Sequence, residues 1–270
     1  MMPIVDFGNI HIPSFFLVIS LSLSALLVVL SNRVDIFRRD RKVAFDLAII
    51  IMLSGFVGGR LLHVFFEEWN YYSQDYSRIF EFWRGGFVYY GGMFTAFAAT
   101  FAYAKYRKID YLEWADFFTP LLSLGVAFGR IGCLLSGCCF GQYCDLPWAL
   151  EGRHPTVLYL FFGEIAILFV ILNLEQRKGY YLKGHLFAKW VLLHSLLRLN
   201  VEYFRDDFRG MFFHVPLFGL ISISQVISLI LIAAVFVFYY VTRNAKGLGL
   251  TPPPPPTVPP PPTHAPQAGG

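Results

Sequence analysis

Seven stretches of mostly apolar residues alternate with short polar connections along the chain: about 14–31, 44–66, 86–104, 117–136, 156–174, 185–204 and 218–241. A helix rises 1.5 Å per residue, so roughly 20 such residues cross a hydrocarbon core about 30 Å thick. The pattern predicts an all-α, polytopic membrane bundle of about seven transmembrane helices spanning residues 1–246. The third, fourth and sixth stretches are less apolar than the rest. Residues 247–270 break the pattern with the run PPPPPTVPPPPTHAP. Proline fixes φ and removes the backbone donor, so this segment predicts an extended, unpacked tail. Its plain reading is a solvated tail, its sharper one a docking segment for a proline-binding partner.

Composition agrees with the pattern. Hydrophobic residues make up 56% of the 270 and charged residues 15%, against about 25% charged in soluble domains. Residues 1 to 13 contain no Lys or Arg, so the first stretch predicts a retained helix and not a cleaved leader. The connections at 32–43, 105–116 and 175–184, with the residues after the last stretch, carry thirteen Lys and Arg; the alternate connections carry five. Basic residues stay on the cytoplasmic side, which places the N-terminus outside and the C-terminus in the cytoplasm. No basic stripe forms on a soluble face, so nucleic acid is not an expected partner.

The informative residues are charges where charges are costly. Arg60, Arg130, Lys189, Arg198, Glu164 and Glu202 fall inside predicted spans. Each Lys, Arg or Asp at mid-bilayer costs on the order of 3 kcal/mol, and such residues mark polar interiors. Arg60 and Lys189 lie near enough to a span end to snorkel. His194, Arg198 and Glu202 recur at four-residue intervals and share one helix face. They predict either an anion-binding arginine held by a carboxylate or a plain structural ion pair. Arg130 sits in Gly129-Arg130-Ile131-Gly132, followed by Gly137 and Gly141. Glycines there admit either a ligand or a neighbouring helix. Tyr90, before Gly91 and Gly92, reads as an interfacial anchor or a headgroup donor. His154, before Pro155, reads as a cap or a proton shuttle.

All four cysteines fall in one stretch, Cys133, Cys138, Cys139 and Cys144, on the predicted outer side. A disulfide, packed thiols, and redox or metal chemistry all stay open. The C-x4-C-C-x4-C spacing lacks the C-x2-C pairs of common zinc sites, so no metal is expected.

These pieces, in this order, resemble the bacterial prolipoprotein diacylglyceryl transferase family. The resemblance covers about residues 10–240. It rests on Asp46 to Leu61, Tyr90-Gly91-Gly92, Gly129 to Gly141, Arg153-His154-Pro155-Thr156 to Tyr159, Arg198 to Arg205 with Glu202 between, and Ser222 to Gln225. It implies a seven-helix enzyme of the bacterial inner membrane. Such an enzyme moves the diacylglyceryl group of phosphatidylglycerol onto the lipobox cysteine of a preprolipoprotein and uses no cofactor. Carried over by position, Arg130 and Arg198 hold the phosphate and Glu202 orients Arg198. Tyr90 takes the catalytic histidine's place, and Gly91, Gly92, Gly141, His154 and Arg60 line the substrate path. Four departures stand out. Tyr90 replaces the family's histidine, and tyrosine, with a pKa near ~10, is a poor base at neutral pH. Cys133 and Ser136 replace two asparagines, and Cys138 an acidic residue. Phe15 or Phe16 stands where a tyrosine is expected. The departures imply two alternatives, a related transferase with another acceptor and a phospholipid-binding protein without activity.

Overall fold

The structure, a computed structural model, describes residues 4–7, 10–82, 85–176, 183–206, 212–215 and 219–246. The proline-rich tail predicted for 247–270 lies outside them. Among the described residues are eight α-helices: α1 (Ser14–Phe37), α2 (Arg41–Leu62), α3 (Trp69–Tyr72), α4 (Tyr89–Arg107), α5 (Tyr111–Ser136), α6 (Thr156–Gln176), α7 (His185–Glu202) and α8 (Ile223–Lys246). A π-helical turn, His63–Glu67, extends α2, and a 3-10 turn, Tyr76–Phe80, follows α3. All but α3 match the predicted apolar stretches. Five helices are long and apolar enough to cross a membrane: α1, α2 with its extension, α5, α6 and α8. The other two, α4 and α7, carry the glycines and charges that lower their hydropathy.

Two antiparallel hairpins depart from the all-helix expectation. β1 (Ile4–Phe7) pairs with β2 (Ile10–Pro13) just before α1, and β3 (Phe212–Val215) pairs with β4 (Gly219–Ser222) just before α8. The last helix therefore begins at Ile223 and not at 218. Ser222 and Gln225 cap it reciprocally: the Ser222 N–H donates to Gln225 Oε1 at 3.0 Å, and the Gln225 N–H to Ser222 Oγ at 3.3 Å. This S-x-x-Q pattern satisfies two orphan donors of the helix start.

The helices turn apolar surface outward. Leu53, Phe162 and Phe236 are each more than 60% exposed, which suits hydrocarbon and not water. Inside, Leu30, Val34, Ala44 and Leu47 pack against Trp114, Phe117, Phe118 and Leu121. A second cluster joins Ile167 and Ile171 to Leu186 and Trp190. The seam between α2 and α4 is built from small residues. A Cβ on Gly58 would lie 1.9 Å from Thr95 Oγ1, and one on Gly92 would lie 2.7 Å from the Gly55 carbonyl. Thr95 Oγ1 donates across the seam to the Ser54 carbonyl at 2.7 Å. Lipid offers no hydrophobic drive for helix association, so close backbone approach takes that role.

Charged ties gather three connections at one end of the bundle. Arg33 pairs with Glu175 at 2.7 Å, Lys183 with Asp110 at 2.7 Å, and Arg39 with Glu113. Asp110 also caps α5, accepting from the Leu112 and Glu113 N–H groups at 3.1 and 3.3 Å. Burial works to raise its pKa; the Lys183 hydrogen bond and the backbone donors outweigh it, and the pKa is lowered. The opposite end holds the C-terminal ends of α5 and α7 and the start of α6.

Candidate functional site

At that opposite end, α5, α7, α4 and the β4–α8 junction bring polar groups together. Arg198 is one turn from the end of α7, and its side chain is 9% exposed. Its Nη2 donates to Ser224 Oγ at 2.6 Å and to Glu202 Oε2 at 3.2 Å. Its Nη1 is buried without a hydrogen-bond partner among the described residues. Glu202 is fixed from the other side by the Ser222 hydroxyl, which donates to Oε1 at 2.9 Å. The capping serine of α8 thus orients the carboxylate that orients Arg198. The Tyr90 hydroxyl donates to the same Ser224 oxygen at 3.2 Å.

Arg130 completes the group. It lies on α5, partly buried, and among the described residues it makes no ion pair or hydrogen bond. Arg205 is a further guanidinium at this end, its Nε 3.9 Å from Glu202 Oε2, so that carboxylate meets both Arg198 and Arg205. Arg130 lies six residues from the end of α5 and Arg198 four from the end of α7. Two like charges in an apolar bundle are costly unless an anion offsets them. A guanidinium also presents a planar fork that matches phosphate oxygens.

A second polar pair lies deeper. Glu164 on α6 is fully buried and receives three groups. Ser123 Oγ and Trp190 Nε1 donate to its Oε2 at 3.1 and 3.4 Å, and His194 Nδ1 forms a close contact with Oε1. Trp190 stacks on the His194 ring at 5.2 Å between centroids. Glu164 and His194 each lie eight residues from their helix ends, about 12 Å in at 1.5 Å per residue. Arg198 is about 6 Å in and Arg130 about 9 Å. His194 therefore sits about one turn below Arg198 on α7. Sequence reading placed His194 on the same face as Arg198, but nothing in spacing could reveal a partner thirty residues away on another helix.

The remaining predicted substrate residues are placed elsewhere by their contacts. Arg60 donates to the carbonyls of Arg78, Ile79, Glu81, Gly85 and Gly86, at 2.5 to 3.4 Å. Its guanidinium holds the connection before α4 and does not join the Arg130–Arg198 group. A cavity of about 400 Å³ surrounds Arg60, bounded by His63, Tyr72, Arg78 and Gly86; it, too, is formed away from the paired arginines. Gly91 and Gly92 belong to the α2–α4 seam: a Cβ on Gly91 would lie 2.5 Å from the Gly58 carbonyl. Gly141 is packed where three backbone segments meet, bridged to Arg205 and donating to the His154 carbonyl at 3.0 Å. A Cβ there would lie 2.4 Å from the Phe204 carbonyl. His154 lies over the Phe204 ring at 4.9 Å, with Nδ1 3.3 Å from the Tyr159 hydroxyl. These contacts make it a link between the α6 start and the α7 end.

The seam assignment is testable. Gly91→Ala is expected to lower the stability of the detergent-solubilised protein by about 1–3 kcal/mol through overpacking. Thermal melting reads this. Unchanged melting with altered substrate affinity would return Gly91 to the substrate path.

The chain is similar to the phosphatidylglycerol–prolipoprotein diacylglyceryl transferase of Mannheimia succiniciproducens, 35% identical over 193 residues, covering 67% of this chain and 70% of the relative. It is 33% identical to the Aeromonas salmonicida protein of that name over 203 residues, 72% of each chain. With the Clostridioides difficile protein the identity is 31% over 221 residues, 80% of this chain and 84% of the relative. The prolipoprotein diacylglyceryl transferase family model matches residues 3–241, which take in both arginines, the α2–α4 seam and the capped start of α8, and the chain belongs to that family.

Proposed function

We propose that the protein is a multi-pass enzyme of the bacterial inner membrane that transfers the diacylglyceryl group of phosphatidylglycerol to the lipobox cysteine of a preprolipoprotein. The observation that carries this reading is the buried Arg198, held by Glu202 and Ser224 with its Nη1 unpartnered among the described residues, with Arg130 near the matching end of α5. Arg198 and Arg205 both pair with Glu202 and Arg130 adds a third guanidinium, so positive charge is in excess and a phosphodiester monoanion reduces it. The partnerless Nη1 of Arg198 and the unengaged Arg130 supply donors for its oxygens. As glycerol phosphate leaves, these donors would stabilise its added negative charge. Family membership supplies the reaction, and the charge arrangement supports locating it at this end of the bundle.

The deeper pair supplies the base. In a bilayer the glycerol carbon that bears the phosphate lies below the phosphate, toward the acyl chains. Displacement at that carbon brings the sulfur in opposite the departing oxygen, so the thiol approaches from the acyl side. A carbon–sulfur bond forms, the carbon–oxygen bond breaks, and the thiol proton must go to a base at that depth. His194, one turn below Arg198 on α7 and held at Nδ1 by the buried Glu164, fits this role. The carboxylate fixes the tautomer and stabilises the imidazolium. Tyr90 hydrogen-bonds Ser224 beside Arg198, which suits a role in fixing the clamp.

Seven crossings, with the N-terminus outside and the C-terminus in the cytoplasm, fit the same reading. Helices α4 and α7 have 19 and 18 residues, about 27–28 Å, close to a hydrocarbon thickness. The tied connections at the other end are the basic ones, which remain cytoplasmic.

The direct test is a lipidation assay. Membranes containing the protein, supplied with phosphatidylglycerol and a lipobox peptide, are expected to yield a thioether-linked diacylglyceryl peptide and glycerol phosphate. Folded protein that forms no such product would defeat the proposal.

A further inference from the structure

The stretch that follows Arg130 brings three thiols to one point. The Sγ atoms of Cys133, Cys138 and Cys139 all lie within 4.8 Å of one another, and those of Cys138 and Cys139 are 3.4 Å apart. The convergence is built by the backbone. Gly137, with φ of 68°, ends α5 in the left-handed region, and the Cys138 N–H folds back to the Cys133 carbonyl at 3.2 Å. This sets Cys138 over the last turn of the helix, beside Cys133. Cys139 then adopts φ of 68° itself, which is unfavourable for a residue with a Cβ. The Thr156 hydroxyl, donating to the Cys139 carbonyl at 2.6 Å, holds it there. Strain of this kind persists where the surroundings impose it, and it points toward function. None of the four cysteines is in a disulfide.

We propose that Cys133, Cys138 and Cys139 form a binding site for a thiophilic d10 cation such as Zn(II), Cd(II) or Cu(I). Thiolates bound at about 2.3 Å around a tetrahedral ion stand about 3.8 Å apart, within the range the three sulfurs already occupy. Soft thiolates select such ions over magnesium or calcium. Binding a divalent ion displaces three thiol protons to water and leaves one net negative charge on the site. Arg130 lies three residues before Cys133, one turn earlier on the same helix, so a positive charge is close to the site. Three protein ligands leave a fourth position for water or another donor, as in open zinc sites. Cys144 is not part of the group and serves as the internal control.

The test uses the full chain, reduced and then freed of reductant without oxygen, in detergent. Titration with Cd(II) is expected to saturate at one ion per chain, with a sulfur-to-cadmium charge-transfer band in the ultraviolet. Alkylation of the wild-type protein should then label Cys144 alone, against four cysteines without metal, a readout that needs no variant. Cys133→Ser, Cys138→Ser and Cys139→Ser should each lose the band, and Cys144→Ser should keep it. Absence of the band in folded wild type overturns the proposal, as does its survival in Cys138→Ser. So does protection that appears without metal and is reversed only by reductant, which would make the group a disulfide. None of these readouts depends on transferase activity.

Discussion

Arg130→Ala is expected to lower diacylglyceryl transfer by about 10²–10³-fold, the usual cost of removing one preorganised donor from a developing anion. Because Arg130 has no ion pair or hydrogen bond among the described residues, the same change should leave thermal stability within about 0.5 kcal/mol of wild type. Arg198→Ala should cost at least as much activity and also destabilise the protein. It strips the Glu202 carboxylate and the Ser224 oxygen of a buried partner, and breaking a buried pair costs about 3–5 kcal/mol. Arg198→Lys keeps the charge but loses the fork, so stability should return further than activity. Transfer and melting measured on the three variants together separate the readings. An inactive but fully stable Arg130→Ala belongs to an anion site. An active Arg130→Ala would show that the two arginines do not act as one clamp.

Much of the bundle was legible because lipid simplifies the problem. A run of about 20 apolar residues has few fates other than a spanning helix, and the seven long helices fall on the predicted stretches. Their edges were set by chemistry that hydropathy does not weigh. The fifth helix begins at Tyr111, earlier than its apolar stretch, because Asp110 caps it and Lys183 holds the cap. The fourth begins at Tyr89 because Gly85 and Gly86, at φ of 79° and 80°, turn the chain first. The hairpin before α8 has no signal of its own, since Gly219-Leu220-Ile221-Ser222 is apolar enough to pass for the start of a span.

The site was legible only where its logic runs along one helix. Arg198 and Glu202 pair at i and i+4, as their spacing implied. Arg130 could be marked as costly in lipid, but its spacing names no partner. The glycines misled for a definite reason. A residue without a Cβ is required equally where a ligand comes close and where another helix does, and Gly91, Gly92 and Gly141 all meet backbone carbonyls. Arg60 misled similarly, since a guanidinium saturated by loop carbonyls looks like a ligand-binding one in a string of letters. The thiol group escaped the usual metal spacing because two left-handed residues, and not a C-x2-C turn, bring its sulfurs together.

His194→Gln is the second change expected to act strongly. Glutamine can still donate to Glu164, which keeps the buried carboxylate satisfied, but it cannot accept the thiol proton. Loss of a positioned general base typically costs about 10²–10⁴-fold, so transfer at neutral pH should fall by that order while melting stays near wild type. The pH dependence distinguishes a base from a strut. Without His194 the reaction depends on thiolate formed in solution, and an unperturbed thiol titrates near ~8.5. The variant's rate should therefore rise about tenfold per pH unit below that point and approach the wild-type rate above it. Glu164→Gln should show a milder form of the same profile, since the imidazole loses its orienting carboxylate yet keeps its own basic nitrogen. A structural pair predicts something else: a deficit in His194→Gln that is constant across pH and follows the loss of folded protein. Should the deficit prove constant, or should His194→Gln turn over normally, the proton must leave by another group, and Tyr90 beside Ser224 would be the next to change.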